Sequence, residues 1–324
     1  MNCLGCYIEV KKGYCLACRK KLFGKSKPSS TLLFDTPTAH NAMYFNEHTK
    51  RLSISGMQLK YSLALENNML VLREKNAQYI LKPIPPTKYL MQIETAPENE
   101  HLTMQIAAQV FKINTAANAL IYFKDGEPAY ITKRFDVKPD GSKYQQEDFA
   151  QLTNRTKATH SETFKYDSSY EEIGTLIKKF VPAAIATLEN LFKIIVFNYI
   201  FSNGDAHLKN FSLMRTDTGE YILTPAYDLM CTALHTPNES EVALDLYEGD
   251  INSPYYSTYG HYGRENFMEL AKRFGIVEKR AARIVDEFSL KVSLVEALVE
   301  KSFLSEGLQE EFLMRARGKL KRVK

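Results

Sequence analysis

The chain has 324 residues, 44% hydrophobic and 25% charged, with a formal net charge of +4. This is the make-up of an ordinary soluble globular protein, long enough to bury a sizeable core and to form two domains or lobes. The longest apolar run, Leu191 to Phe201, is broken by Lys193 and Asn198 and falls short of the roughly 20 residues of a membrane span, and the basic excess is too mild to argue nucleic-acid binding.

The first segment, to about Gly24, holds Cys3-x2-Cys6 and Cys15-x2-Cys18, four of the five cysteines. Paired CxxC spacing points to a metal site in a reducing cytoplasm rather than to a disulfide framework, and the polar N-terminus shows no secretory signal. Four thiolates match tetrahedral zinc, with no open coordination position, so the expected ion is structural. Reactive thiols or an iron–sulfur cluster remain alternatives for these cysteines. Cys231 reads as a small buried residue.

A basic Ser/Pro stretch, Gly24 to Ser30, reads as a linker. Short alternating segments follow: Arg51–Ser55, Tyr61–Leu65, Met69–Leu72 and Tyr79–Lys82, an antiparallel sheet with a turn at Glu66-Asn67-Asn68. Pro83, Pro85 and Pro86 end it. A helix is predicted from about Glu98 to Phe111, then a hairpin of Ala119–Phe123 and Ala129–Thr132. Beyond Asp136 the periodicity turns helical, with candidates at Ile173–Phe180, Ala183–Phe201, Arg264–Phe274, Glu278–Ser302 and Gln309–Leu320. The arrangement is α+β: a knuckle over 1–25, a sheet-rich lobe over 26–135 and a helical lobe over 136–324. His235 to Gly263 has little periodicity and reads as a substrate-facing loop or a surface excursion. The basic tail from Met314 reads as a solvated helix end, or as a contact for tRNA or operator DNA.

Asp205 and Asn210 stand in D-x-x-x-x-N spacing just after the long helix. Protein kinases place there an Asp that deprotonates the attacking hydroxyl and an Asn that holds magnesium, with Lys209 near the transferred phosphate. A hairpin from Phe211 to Leu223 then returns Asp228, which would complete an all-oxygen magnesium site. Asp and Asn are also common turn formers and caps, and His207 fits either substrate contact or a structural hydrogen bond. Lys82, ending a strand, and Glu100, in the next helix, stand where a kinase pairs its phosphate-binding lysine, though either alone could be a surface residue. The stretch Arg51 to Lys60 sits where a phosphate-covering loop belongs but has one glycine, not G-x-G-x-x-G.

Several segments together resemble the HipA family of bacterial Ser/Thr kinase toxins: Ser53–Lys60, Tyr79–Pro83, Pro97–Glu100, Thr132–Asp136, Gln146–Phe149, Asn203–Asn210 and Pro225–Asp228, in the family's order, within roughly residues 50 to 320. The resemblance implies a bilobal protein-kinase-like fold using ATP and Mg2+. Asp205 would be the catalytic base, aided by Lys209, with Asn210 and Asp228 on magnesium. Ser55, Gly56, Lys60, Lys82, Glu100 and His207 would serve ATP, and the backbone around Lys133 and Phe135 would form the adenine hinge. Ser53 and Ser55 occupy the loop in which family members autophosphorylate, where a phosphoserine could repel ATP. The implied substrates are Ser or Thr of a translation protein such as an aminoacyl-tRNA synthetase with its tRNA.

Two features depart from longer members and from eukaryotic-type kinases. Asp228 is followed by Leu229-Met230 rather than Phe-Gly, and only about 50 residues precede the phosphate loop. The second matches short, HipT-like forms, whose missing N-terminal subdomain comes from a separate HipS-like small antitoxin. A HipB-like DNA-binding antitoxin is the other implied partner, and no membrane partner is expected. A non-catalytic kinase-fold module and a small-molecule kinase are the competing readings.

Overall fold

The structure, a computed structural model, describes residues 1–38, 59–87 and 89–324. The expected strand Arg51–Ser55, and with it Ser53, Ser55 and Gly56, lies outside the described residues. The chain divides into two compact units, one made of Met1–Gln105, Ala116–Lys143 and Ala297–Gln309, the other of Ile106–Thr115, Tyr144–Glu296 and Glu310–Lys324.

The first unit is built on an antiparallel five-stranded sheet. After helix α1 (Leu16–Phe23) come β1 (Tyr61–Glu66), β2 (Met69–Leu72) and β3 (Tyr79–Pro83). The β1–β2 turn uses Asn67 and Asn68 at φ 50° and 63°. A two-residue hairpin needs this left-handed pair, and asparagine tolerates it better than most side chains. Helix α2 (Ala96–Gln105) precedes β4 (Asn118–Tyr122) and β5 (Pro128–Lys133), giving the order β2-β1-β3-β5-β4. The β4 edge is covered by the N-terminal segment: Leu120 N donates to Leu4 O, Tyr122 N to Ser30 O, and Leu32 N to Tyr122 O. That covering removes an unpaired edge. Leu22 and Phe23 of α1 join Leu63, Leu81, Ile121 and Ile131 in the core, each such burial stabilising by about 1.5–3 kcal/mol.

The predicted helix Glu98–Phe111 starts two residues early, at Ala96, and its last turn widens over Ile106–Val110. The Phe111 amide reaches back five residues to Ile106 O, and in the second unit the Phe111 ring stacks on Phe288 at 4.4 Å. A periodic pattern of apolar residues does not register one inserted residue.

The second unit opens with β6 (Gln146–Asp148), which runs into the short α3 (Phe149–Leu152) through a capping box of Asp148 and Gln151. Helices α4 (Tyr170–Phe180) and α5 (Ala184–Ile200) follow, then β7 (Ser212–Arg215) and β8 (Tyr221–Leu223), which with β6 form a three-stranded sheet in the order β6-β7-β8. The nearly all-apolar α5 is the buried axis of this unit, carrying Leu188, Leu191, Phe192, Ile195 and Phe197 inward. Gly174 on α4 lets Phe274 approach so closely that a Cβ there would lie 2.4 Å from its ring.

Next come α6 (Pro254–Tyr259), inside the stretch read as loop, and α7 (Arg264–Phe274). The single helix expected over Glu278–Ser302 is two, α8 (Glu278–Leu290) and α9 (Val292–Val299). The break falls at Lys291, which leaves helical geometry while its amide still bonds Glu287 O and its ammonium reaches Val110 O at 2.8 Å. The final helix α10 (Glu306–Arg322) carries the basic tail. Several of its cations are engaged within the second unit: Arg317 pairs with Glu296, and Lys319 and Arg322 with Glu241. No described helix is long and apolar enough to cross a membrane.

Candidate active site

In the first unit β3 turns Lys82 inward. Its ammonium lies 2.5 Å from Glu100 of α2 and 5.3 Å over the Tyr130 ring. The pair is sealed, with side chains 2% and 1% exposed. Two opposite charges held this far from water are strongly interdependent, because removing one leaves the other uncompensated. Burial lifts the neighbouring Glu98 to about 7. Lys60 is half-buried just before β1, and Lys133 and Phe135 are half-buried at and just beyond the end of β5. Tyr79, not Lys82, faces Lys133 across the sheet, which sets the two lysines roughly 10 Å apart along the strands.

In the second unit α5 delivers a loop fixed by its own polar groups. Asn203 Nδ2 donates to Asn198 Oδ1 at 3.0 Å, and Asp205 N to Asn203 Oδ1 at 3.2 Å. Gly204 N donates to Thr232 Oγ1 at 2.8 Å. A Cβ on Gly204 would sit 2.6 Å from both Glu239 Cδ and Ser240 O, so no larger residue fits. Asn210 Nδ2 reaches back to Asp205 O at 3.2 Å, and Tyr227 OH donates to Lys209 O at 2.9 Å. Asp228 takes φ 55°, a left-handed conformation that costs about 1–2 kcal/mol outside glycine and clusters at functional sites. Asn198, Asn203, Asn210, Tyr227 and Asp228 border one recess. The rest of its lining is largely apolar, and the oxygens of Asn210 and Asp228 are donors of the kind that suits a hard cation such as magnesium.

Asp205 itself stays open, its side chain 44% exposed. Tyr166 OH donates to its Oδ1 at 2.5 Å, Lys165 Nζ lies 3.8 Å away and His207 Nε2 3.7 Å. Burial pushes His207 down to about 4, against the pull of the Asp205 charge. At neutral pH the His207–Asp205 contact is therefore dipolar, not an ion pair.

The four expected zinc ligands also converge. The sulfurs of Cys3, Cys6, Cys15 and Cys18 lie within 4.8 Å of one another, with Cys6 and Cys15 Sγ 3.7 Å apart. Sulfurs at ~2.3 Å from a tetrahedral zinc stand about 3.8 Å apart, so the set fits that ion. Gly5 N and Cys15 N donate to Cys3 Sγ, and Cys18 N to Cys15 Sγ. The hydrogen bond from Cys18 is the main pull on Cys3, down to about 4, while burial lifts Cys6 to about 11.

A family model, the HipA-like C-terminal domain, matches residues 52–294. The chain belongs to the HipA-like C-terminal domain family. A Haemophilus influenzae relative named "Putative kinase" is 26% identical over 272 residues, 78% of this chain and 76% of that one. A Sinorhizobium fredii relative, "Putative kinase Y4dM", is 30% identical over 212 residues, 60% of this chain and 49% of its own length. Among solved structures, HipA of Shewanella oneidensis MR-1, determined with HipB and operator DNA, superposes with TM-score 0.61 at 18% identity, covering 91% of this chain and 73% of that one. The Helicobacter pylori proinflammatory kinase CtkA gives TM-score 0.52 at 15% identity, covering 82% and 90%. These likenesses carry the fold, the α+β kinase type expected from the sequence.

Within this HipA-like frame the sequence reading missed the groups that surround Asp205. Tyr166 and Lys165 come from a Thr/Ser-rich stretch with no periodicity, and nothing in their spacing marks them. Glu239 accepts a hydrogen bond from the Thr232 hydroxyl; burial raises it to about 7, with the Asp205 charge adding to that rise. Its signal is three-dimensional, since Gly204 lies 35 positions away in sequence.

Proposed function

We propose that this HipA-like chain is an ATP- and Mg2+-dependent Ser/Thr protein kinase of a toxin–antitoxin system. The observation that carries the reading is the loop that sets the half-open Asp205 beside a recess bordered by Asn210 and Asp228. Asp205, 44% exposed, can trade its present donors for a substrate hydroxyl, whose proton it would accept. Asn210 and Asp228 would hold magnesium, which when bound supplies charge to offset the phosphates. Lys82, oriented by Glu100, would hold the nucleotide's α/β-phosphates, and Lys209 would approach the transferred group. In this division residues 26–135 serve the α/β-phosphates of the nucleotide and residues 136–324 the hydroxyl, the magnesium and the transferred group.

The proposed substrates are Ser or Thr of cytoplasmic translation proteins, an aminoacyl-tRNA synthetase first among them, with control by phosphorylation at Ser53 or Ser55. A HipB-like antitoxin is the proposed partner, supported by the superposition on HipA from a HipB–operator complex; a HipS-like small antitoxin is the second proposed partner. Four converging thiols support a structural zinc. Phosphoproteomes of cells after brief expression of the wild type and of Asp205→Ala test the reading. New phosphoserine or phosphothreonine confined to the wild type is expected, and identical phosphoproteomes would sink it.

A further inference from the structure

Phosphoryl transfer makes no use of the cysteine knuckle, yet the knuckle touches the helix that carries Glu100. We propose that one zinc ion bound by Cys3, Cys6, Cys15 and Cys18 braces α2, so that metal binding holds Glu100 against Lys82. Only the consequence for ATP rests on the kinase reading; the brace stands on contacts inside the first unit.

The residue that links them is Tyr7, immediately after the first CxxC pair. Its backbone is left-handed, at φ 66°, where a glycine would sit without strain and a tyrosine does not. The side chain explains the choice. Tyr7 is 1% exposed, its hydroxyl lies 2.8 Å from His101 Nδ1, and its ring meets the His101 ring edge-on at 4.9 Å. The Phe303 ring also packs on it, at 5.6 Å.

His101 directly follows Glu100 on α2. Successive helix positions are turned by about 100°, so neighbours on one helix face different partners. Glu100 faces Lys82 and His101 faces the knuckle, and both are buried. Burial holds His101 down at about 3, with the Gly5 backbone acting in the opposite sense. The knuckle therefore grips α2 through a neutral, fully enclosed hydrogen bond.

The knuckle's own order depends on its sulfurs. Fewer than about 25 residues bury too little to hold a fold without a metal or cross-link. It is tied to the sheet by Leu22 and Phe23 in the core, by the Leu4–Leu120 backbone bond and by the Tyr14 hydroxyl on Leu120 O at 2.8 Å. Gly5 leaves no slack, because a Cβ there would lie 2.8 Å from Cys18 Cβ. Cys3 and Cys6 flank the turn that presents Tyr7, so releasing the metal frees the grip on His101.

The test uses the full chain under reducing conditions. Metal analysis should find about one zinc per chain. Removing it with a chelator should speed amide exchange across Ala96–Gln105 by about tenfold or more, leave Ala184–Ile200 unchanged, and weaken ATP binding. A zinc-free native protein, or equal exchange with and without zinc, overturns the proposal. Should the stripped chain unfold altogether, zinc-loaded Tyr7→Phe decides. It leaves a buried ring nitrogen unpaired and should raise exchange in the same helix about tenfold, while Tyr7→Phe/His101→Leu, which removes both polar partners, should restore much of it. No rise in Tyr7→Phe overturns the brace. A chain that shows the zinc-dependent exchange but binds no ATP contradicts the kinase reading and leaves the brace standing.

Discussion

Two acidic residues of the proposed site sit in opposite surroundings. Glu100 is sealed with Lys82 at 1% exposure, whereas Asp205 keeps 44% of its side chain open and is met by a tyrosine hydroxyl and a lysine. In the proposed mechanism the contrast separates a fixed electrostatic device from a group that would exchange partners in each cycle. A buried pair is organised once, on folding, and its loss is felt in stability. An open acid adds little to stability, and its loss is felt in chemistry.

The largest stability effect should come from breaking the sealed pair. Glu100→Ala removes the buried carboxylate bonded to Lys82, and should destabilise by about 3–5 kcal/mol in denaturant titration. Asp205→Asn should change stability by no more than ~0.5 kcal/mol. Equal losses in the two variants would erase the distinction. Next, Gly204→Ala forces a methyl against Glu239 and the Ser240 carbonyl, with an expected cost of about 1–3 kcal/mol and loss of activity as the Asp205 loop shifts.

The pH response of His207 is smaller. Folded His207 takes its proton near pH 4, an unconstrained histidine near 6.5. Between those values the unfolded chain holds more protons, so this contribution is complete above about pH 6.5 and is lost as pH falls towards 4. From pH 7.5 to 5 the wild type should lose about 1–2 kcal/mol more than His207→Phe; parallel losses would contradict a buried neutral ring. The smallest effect belongs to Tyr166. Its hydroxyl occupies the Asp205 oxygen that a substrate would use, so Tyr166→Phe should lower KM for the protein substrate by roughly two- to tenfold, leaving kcat near the wild type.

The two regions also differed in how far the sequence exposed them. The Lys82–Glu100 contact was readable because a strand end and the following helix are local signals, the Asp205–Asn210 loop because a short spacing carries it, and the approach of Asp228 to Asn210 because a hairpin returns it. The hairpin at Asn67-Asn68 was legible for the same reason. What surrounds Asp205 was not: Tyr166 and Glu239 arrive from segments without periodicity, 39 and about 35 positions away. The helix break at Lys291 was hidden because a one-residue interruption barely disturbs a 3.6-residue pattern. No sequence signal marks Tyr7, whose left-handed backbone and contact with the distant His101 exist only in three dimensions.

The most direct test of the account is transfer of labelled γ-phosphate from ATP to protein by the purified chain with magnesium. The account predicts transfer by the wild type that falls by at least ~100-fold in Asp205→Ala and in Asp228→Ala, both folded and both still carrying zinc. Undiminished transfer in either variant would contradict it.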